Sequence, residues 1–145
     1  MMIRIVPDQT RIVIVDPNPD DYAHLFDGVR SASRNASGEI EIPAHDGEQA
    51  SRFRFVGSAR EALRISPDST DILWIINTRL PDLTGFDLFS MLADRLEDVP
   101  VWLVGDEYDT SEELRVYCSN AVMYVCKPLN KTWLTEWRSQ FAMSK

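Results

Sequence analysis

Short, nearly continuous apolar runs alternate along the chain with amphipathic stretches. Arg11-Ile12-Val13-Ile14-Val15-Asp16 is β-branched and almost unbroken, the pattern of a strand buried on both faces. Pro17-Asn18-Pro19-Asp20-Asp21 follows as a turn and helix start, after which Tyr22, Leu25, Phe26 and Val29 recur at helical spacing. Arg52-Phe53-Arg54-Phe55-Val56 alternates and predicts an edge strand. Ser58 to Ile65 predicts a short helix with Ala59, Ala62 and Leu63 inward, ended by Pro67. The second half repeats the alternation. It predicts a buried strand over 71–76, a turn-rich loop over 79–85 and a helix over 86–96 that buries Phe86, Leu88 or Phe89, and Leu92. A strand over 99–104, a loop over 105–110, a helix over 111–119 and a strand over 121–126 follow. Lys127-Pro128 breaks the pattern, and a last helix over 130–143 is capped by Asn130 or Thr132.

Five consecutive strand–helix units imply a parallel sheet with helices on both faces. Two stretches stand outside this alternation. The segment 34–50 is an insertion of unusual length for a compact domain, and within it Gly38-Glu39-Ile40-Glu41-Ile42-Pro43 alternates as an added edge strand would. Residues 2–6 are also apolar and alternating, with no place in the scheme.

Composition narrows the function classes. The chain has 145 residues, 44% hydrophobic and 26% charged, which fits one globular domain over residues 1–145. A net charge of −8 argues against a surface that grips nucleic-acid phosphates or anionic lipid. No apolar run approaches a membrane span, and the first residues are too short for a secretory leader, so a cytoplasmic setting is expected. Two cysteines, Cys118 and Cys126, do not make a disulfide framework.

In open α/β sheets, ligand chemistry collects beyond the carboxyl ends of the strands. The residues there are Asp16-Pro17, Asn77-Thr78, Gly105-Asp106 and Cys126-Lys127-Pro128. Together with Asn77-Thr78-Arg79-Leu80-Pro81-Asp82-Leu83-Thr84-Gly85-Phe86-Asp87-Leu88, they resemble the receiver domains of two-component response regulators. The family pattern in that segment is D-x-R-L-P-D-x-x-G-x-D-L. Arg11 to Asp16, Ser58 to Leu63, Pro100 to Val104 and Ala121 to Pro128 resemble the neighbouring parts of such domains. The resemblance covers about residues 11–143 and implies a CheY-like (flavodoxin-like) three-layer sandwich. Its sheet would hold five parallel strands in the order 2-1-3-4-5, with five helices.

The same resemblance implies a phosphoryl acceptor aspartate after the third strand, a Mg²⁺ held by nearby carboxylates, and a hydroxyl after the fourth strand. All three are altered. Asn77 stands at the acceptor position, and an amide is a poor nucleophile because its lone pair is delocalised. Pro17 replaces an acidic neighbour of Asp16, leaving Asp16 a weak metal candidate. Gly105 supplies no hydroxyl. Lys127 is kept and is expected to pair with Asp16 or with the Asn77 oxygen. Asp106 follows Gly105 as a loop carboxylate able to swing into the pocket, and Asp20 and Asp21 are expected to favour the first helix through its dipole.

No catalytic residue, metal or other cofactor is therefore expected. The reading is an atypical receiver acting as a protein-interaction module, with a histidine kinase or an output protein as partner types. The interface candidates are Tyr124, at the family's aromatic switch position, with Trp133 and Trp137 on the last helix, where the plain alternative is core packing. They suggest a homodimer through the face of the fourth helix, fifth strand and fifth helix. His24 and His45 lack partners at metal or catalytic spacing and are expected at the surface. One rival reading is a working receiver with Mg²⁺ and a displaced acceptor, Asp106 or Asp82. Another is a flavodoxin-like cofactor protein, which the acidic, proline-blocked loop after the first strand disfavours.

Overall fold

The computed structural model describes residues 9–26, 33–34, 39–42, 50–121 and 123–129. Its sheet is built outward from β1 (Gln9–Val15), which pairs in parallel with β4 (Ala50–Val56) on one side and β5 (Asp71–Asn77) on the other. β6 (Val101–Gly105) and β7 (Met123–Cys126) continue the sheet in parallel beyond β5. In chain order these five parallel strands run 2-1-3-4-5, the expected arrangement.

Two short strands extend the sheet past β4. β3 (Ile40–Ile42) pairs antiparallel with β4, and β2 (Ser33–Arg34) pairs antiparallel with β3. The alternation over 38–43 contains β3 at 40–42, and among the described residues two antiparallel strands thus add to the five parallel ones. Arg52–Val56 is accordingly not an edge. The insertion covers the backbone groups that β4 would otherwise leave open, as natural sheets commonly do with exposed edges.

The helices follow their caps. In α1 (Ala59–Leu63) the Ser58 hydroxyl accepts from the Glu61 amide at 3.2 Å, and the Glu61 carboxylate accepts in return from the Gly57 amide at 3.2 Å. Thr84 caps α2 (Gly85–Leu92), and Asp109 caps α3 (Thr110–Tyr117) through the amides of Ser111 and Glu112. Residues Pro19–Phe26 form a 3₁₀ helix, not the expected α-helix, with two prolines immediately before Asp20. The last expected helix, with Trp133 and Trp137, lies outside the described residues, as do His45 and residues 2–6.

Alternation along β1 sends side chains to opposite faces. Val13 and Val15 join Trp74, Ile76 and Leu103 beneath α1 and α2, while Ile12 and Ile14 join Leu73, Ile75, Trp102 and Val104 on the other face, with Tyr22, Phe53 and Leu129. All seven residues of β5 are buried, which explains its unbroken apolar sequence. The exceptions are its two end residues, Asp71 and Asn77. Asp71 meets Arg11 through two bonds, from Nε at 2.5 Å and Nη2 at 3.0 Å. Asp71 also accepts from the Trp74 indole at 2.9 Å and the Asp68 amide at 3.0 Å, so both ends of this buried pair are saturated. Asp71→Ala would strand the Arg11 charge and the Trp74 indole in the interior. We expect it to cost about 3–5 kcal/mol in urea unfolding; a loss well under 1 kcal/mol would show that the pair is solvated.

Candidate functional site

The parallel strands end together, and their last residues form an acidic pocket around one ammonium group. Lys127, just after β7, places Nζ 2.9 Å from Asp16 Oδ2, 2.7 Å from Asp21 Oδ2 and 2.7 Å from Asp106 Oδ1. Asp16 follows β1, Asp106 follows β6, and Asp21 comes from the 3₁₀ helix. The Asp16 side chain is wholly buried, whereas about half of the Asp21 and Asp106 side chains remains exposed.

Asp16 is saturated by internal donors. Its Oδ1 accepts from the Asn18 amide at 2.8 Å, and its Oδ2 accepts from the Tyr22 hydroxyl at 2.8 Å and from Asn77 Nδ2 at 3.0 Å, besides Lys127. Asn77, at the end of β5, uses both N–H bonds: one to Asp16 and one to Asp106 Oδ1, at 3.0 Å each. Its oxygen accepts from the Arg79 amide at 2.8 Å. The expected Lys127–Asp16 contact is present, while the alternative bond from Lys127 to the Asn77 oxygen is not, because that oxygen faces the Arg79 amide.

The electrostatics follow from this packing. Burial works against the Lys127 charge, but the bonds to Asp106, Asp21 and Asp16 outweigh it and raise the pKa above the ordinary lysine value. Burial likewise opposes the Asp106 charge, and the hydrogen bonds from Lys127 and Asn77 overcome it, holding Asp106 below the usual carboxylate range. Burial and the adjoining Asp16 charge push Tyr22 far up, so its hydroxyl stays a proton donor.

The site also orders the loops around it. Gly85 N bonds to the Thr78 carbonyl at 2.9 Å, and a Cβ on Gly85 would collide with the backbone of Asn77. Only glycine lets the loop after β5 close so tightly. Asp82 accepts from the amides of Ala59 and Arg60, both at 2.9 Å, and these bonds hold its pKa low. It therefore ties the loop to α1 rather than facing the pocket. Pro17 is exposed and contributes no donor side chain, and Asp20 is exposed as well. His24 is not the free surface residue expected: it is half-buried, with Nε2 2.6 Å from the Leu129 carbonyl. Two pocket residues escaped the sequence reading. The sequence places Asp21 at the helix dipole and Tyr22 only in a repeat at helical spacing; their spacing of five and six residues from Asp16 is the available signal.

Beside the pocket, Tyr124 from β7 points toward Gly105. A Cβ at Gly105 would lie 2.6 Å from the Tyr124 hydroxyl, which thus fills the space a larger residue would need. That hydroxyl accepts from the Asp109 amide at 3.2 Å and donates to Glu112 at 3.1 Å, anchoring the ring to the start of α3. Arg79, two residues past Asn77, reaches the same turn, 3.5 Å from both Asp109 and Glu112.

Divalent-metal chemistry does not fit these residues. Among the described residues the one wholly buried pocket carboxylate, Asp16, has three donors on Oδ2 and one on Oδ1, and an ammonium already lies where the carboxylates converge. Mg²⁺ would have to displace Lys127, or strip Asp16 of its Tyr22 and Asn77 partners.

No protein-family model matches the chain, and no curated protein matches it in sequence. Solved structures do match in fold. A two-component response regulator from Clostridium difficile superposes with a TM-score of 0.69 at 18% identity, over 94% of this chain and 98% of that one. A response regulator receiver domain (CheY-like) from Methanospirillum hungatei gives 0.66 at 17%, over 92% and 93%. The non-phosphorylated HemR receiver domain from Leptospira biflexa gives 0.64 at 20%, over 90% and 92%. The chain therefore has the receiver fold.

The Gly105–Tyr124 contact yields a prediction. Gly105→Thr should drive the Tyr124 ring outward, at a cost of about 1–3 kcal/mol. Nuclear Overhauser contacts between the Tyr124 ring and Glu112 should vanish; their survival would show that the ring does not depend on the space at Gly105.

Proposed function

We propose that this chain is an atypical receiver domain of two-component, phosphorelay-type signalling that works as a protein-interaction module without accepting a phosphoryl group. The observation that carries this reading is the Lys127 ammonium among Asp16, Asp21 and Asp106, with Asn77 as the neutral donor between two of them. A receiver that takes phosphate needs a cation between its carboxylates and a carboxylate nucleophile. Here the cation is a side chain and the nucleophile is an amide. Lys127 offsets one of the three carboxylate charges before any ligand arrives and fills the place between them, so in this reading the domain rests in one state. Partners, a histidine kinase or an output protein, would recognise that state directly.

The partner-facing surface in this reading is the one built by α3 and β7. Leu114 and Tyr117 on α3 are 60% and 74% exposed, and Met123 on β7 is 43% exposed. Large apolar groups of this kind favour contact with another protein. Through Arg79, Glu112 and Tyr124 the pocket bears directly on α3, so its fixed arrangement also fixes this surface. The sequence candidates Trp133 and Trp137, and a homodimer, belong to this proposal.

A displaced acceptor is a second reading with one observation in its favour: the Asp106 carboxylate is half exposed and lies against Lys127. Asp82 has no such support, because its carboxylate is spent on the α1 amides.

Mg²⁺ distinguishes the readings. An amide NMR titration of the wild-type chain with millimolar Mg²⁺ should give no saturable shifts at Asp16, Asn77 or Asp106. Lys127→Met should lose about 3 kcal/mol of stability and gain saturable Mg²⁺ binding at those same amides, with stability partly restored. Saturable binding by the wild type would overturn the proposal and favour Asp106 as an acceptor.

A further inference from the structure

A second, basic site lies on the helical face of the sheet, away from the acidic pocket. A cavity of about 450 Å³ opens there, lined by Arg11, Arg54, Val56, Arg64, Ile65 and Ser66, with Glu61 at its side. Arg11 stands five residues before Asp16, about 16 Å away at strand rise, and none of Asp16, Asp21, Asp106 or Lys127 lines this cavity.

The charges in this cavity are unevenly compensated. Arg11 is neutralised by its double bond to Asp71 and also donates to the Ser66 carbonyl at 3.1 Å. The neighbouring Arg52 is 3.5 Å from Glu39 and 3.9 Å from Asp68. Arg54 and Arg64 have no ion-pair or side-chain hydrogen-bond partner among the described residues. Arg54 faces the same side of β4 as Val56 and is half-buried as a residue, while Arg64 is exposed at the cavity mouth. Glu61, the one acidic lining residue, points its carboxylate back to the Gly57 amide at 3.2 Å. In a chain of net charge −8, this cavity is a local reversal of sign.

We infer that this cavity binds a small phosphorylated metabolite. Arg54 and Arg64 would grip the phosphoryl oxygens, Ser66 would offer a hydroxyl, and Val56 and Ile65 would carry the organic body. Guanidinium groups suit this task because their planar donors match oxyanion geometry and remain charged at every physiological pH. The volume falls within the range typical of small-molecule sites. Two guanidiniums favour a dianionic phosphoryl group over a single carboxylate. The inference does not rest on the reading of the acidic pocket.

The test is an amide NMR titration of the whole chain with inorganic phosphate and, separately, with phenyl phosphate, at ionic strength held constant with sodium chloride. Saturable shifts should centre on Arg54, Val56, Ile65 and Ser66, with phenyl phosphate the tighter of the two. The double variant Arg54→Gln/Arg64→Gln, its fold checked by unchanged amides elsewhere, should bind about tenfold more weakly or worse. Single Arg60→Gln, an exposed charge outside the cavity lining, serves as a charge control and should leave the affinity within about twofold, as a screened surface charge does. Three results would overturn the inference: no saturable shift, shifts centred on Gly105 and Asp106, or a double variant that binds as well as the wild type.

Discussion

One ammonium group holds the carboxyl ends of the sheet together. Lys127 after β7 reaches back to Asp16 after β1, Asp106 after β6 and Asp21 in the 3₁₀ helix, at 2.7–2.9 Å. Three carboxylates this close to one another repel strongly in a partly buried site, and only a cation between them makes the arrangement stable. Asn77 completes it by donating to two of the carboxylates at once. An aspartate at 77 would bring a further negative charge to the same point. The amide there and the lysine at the centre thus act together: one adds no charge, and the other offsets part of the carboxylate repulsion.

The consequences spread from the pocket through covalent neighbours. The Asn77 oxygen fixes the Arg79 amide, and the Arg79 side chain extends to Asp109 and Glu112 at the start of α3. Tyr124 closes the same turn from β7, in space left by Gly105. The loss of a side chain at 105 and the inward position of the tyrosine are complementary. In the proposed role, α3 with its exposed Leu114 and Tyr117 is presented in one arrangement. In the proposed role this constancy is the output.

Much of this was legible in the sequence, and the failures have physical causes. The buried parallel strands announced themselves because β1, β5 and β6 are packed on both faces and need unbroken apolar runs. The strand ends then named Asp16, Asn77, Gly105, Asp106 and Lys127, since parallel topology gathers them at one edge. The Lys127–Asp16 contact was one of two alternatives that the receiver resemblance offered for Lys127. The 3₁₀ form of Pro19–Phe26 was missed because apolar spacing cannot separate it from an α-helix over so few residues. The roles of Asp21 and Tyr22 depend on how that segment curls back over β1, which periodicity does not encode. β2 was invisible at two residues, as was the cover it helps give to β4. The Arg11–Asp71 pair went unread because two charged residues sixty positions apart carry no local signal.

The most direct test is chemical. Purified protein is incubated with Mg²⁺ and acetyl phosphate, and its intact mass is read. The account predicts no phosphoryl adduct, because the acceptor position is an amide and the cation position is filled by Lys127. A stoichiometric adduct that hydroxylamine removes would reveal a working acyl phosphate and contradict the central claim.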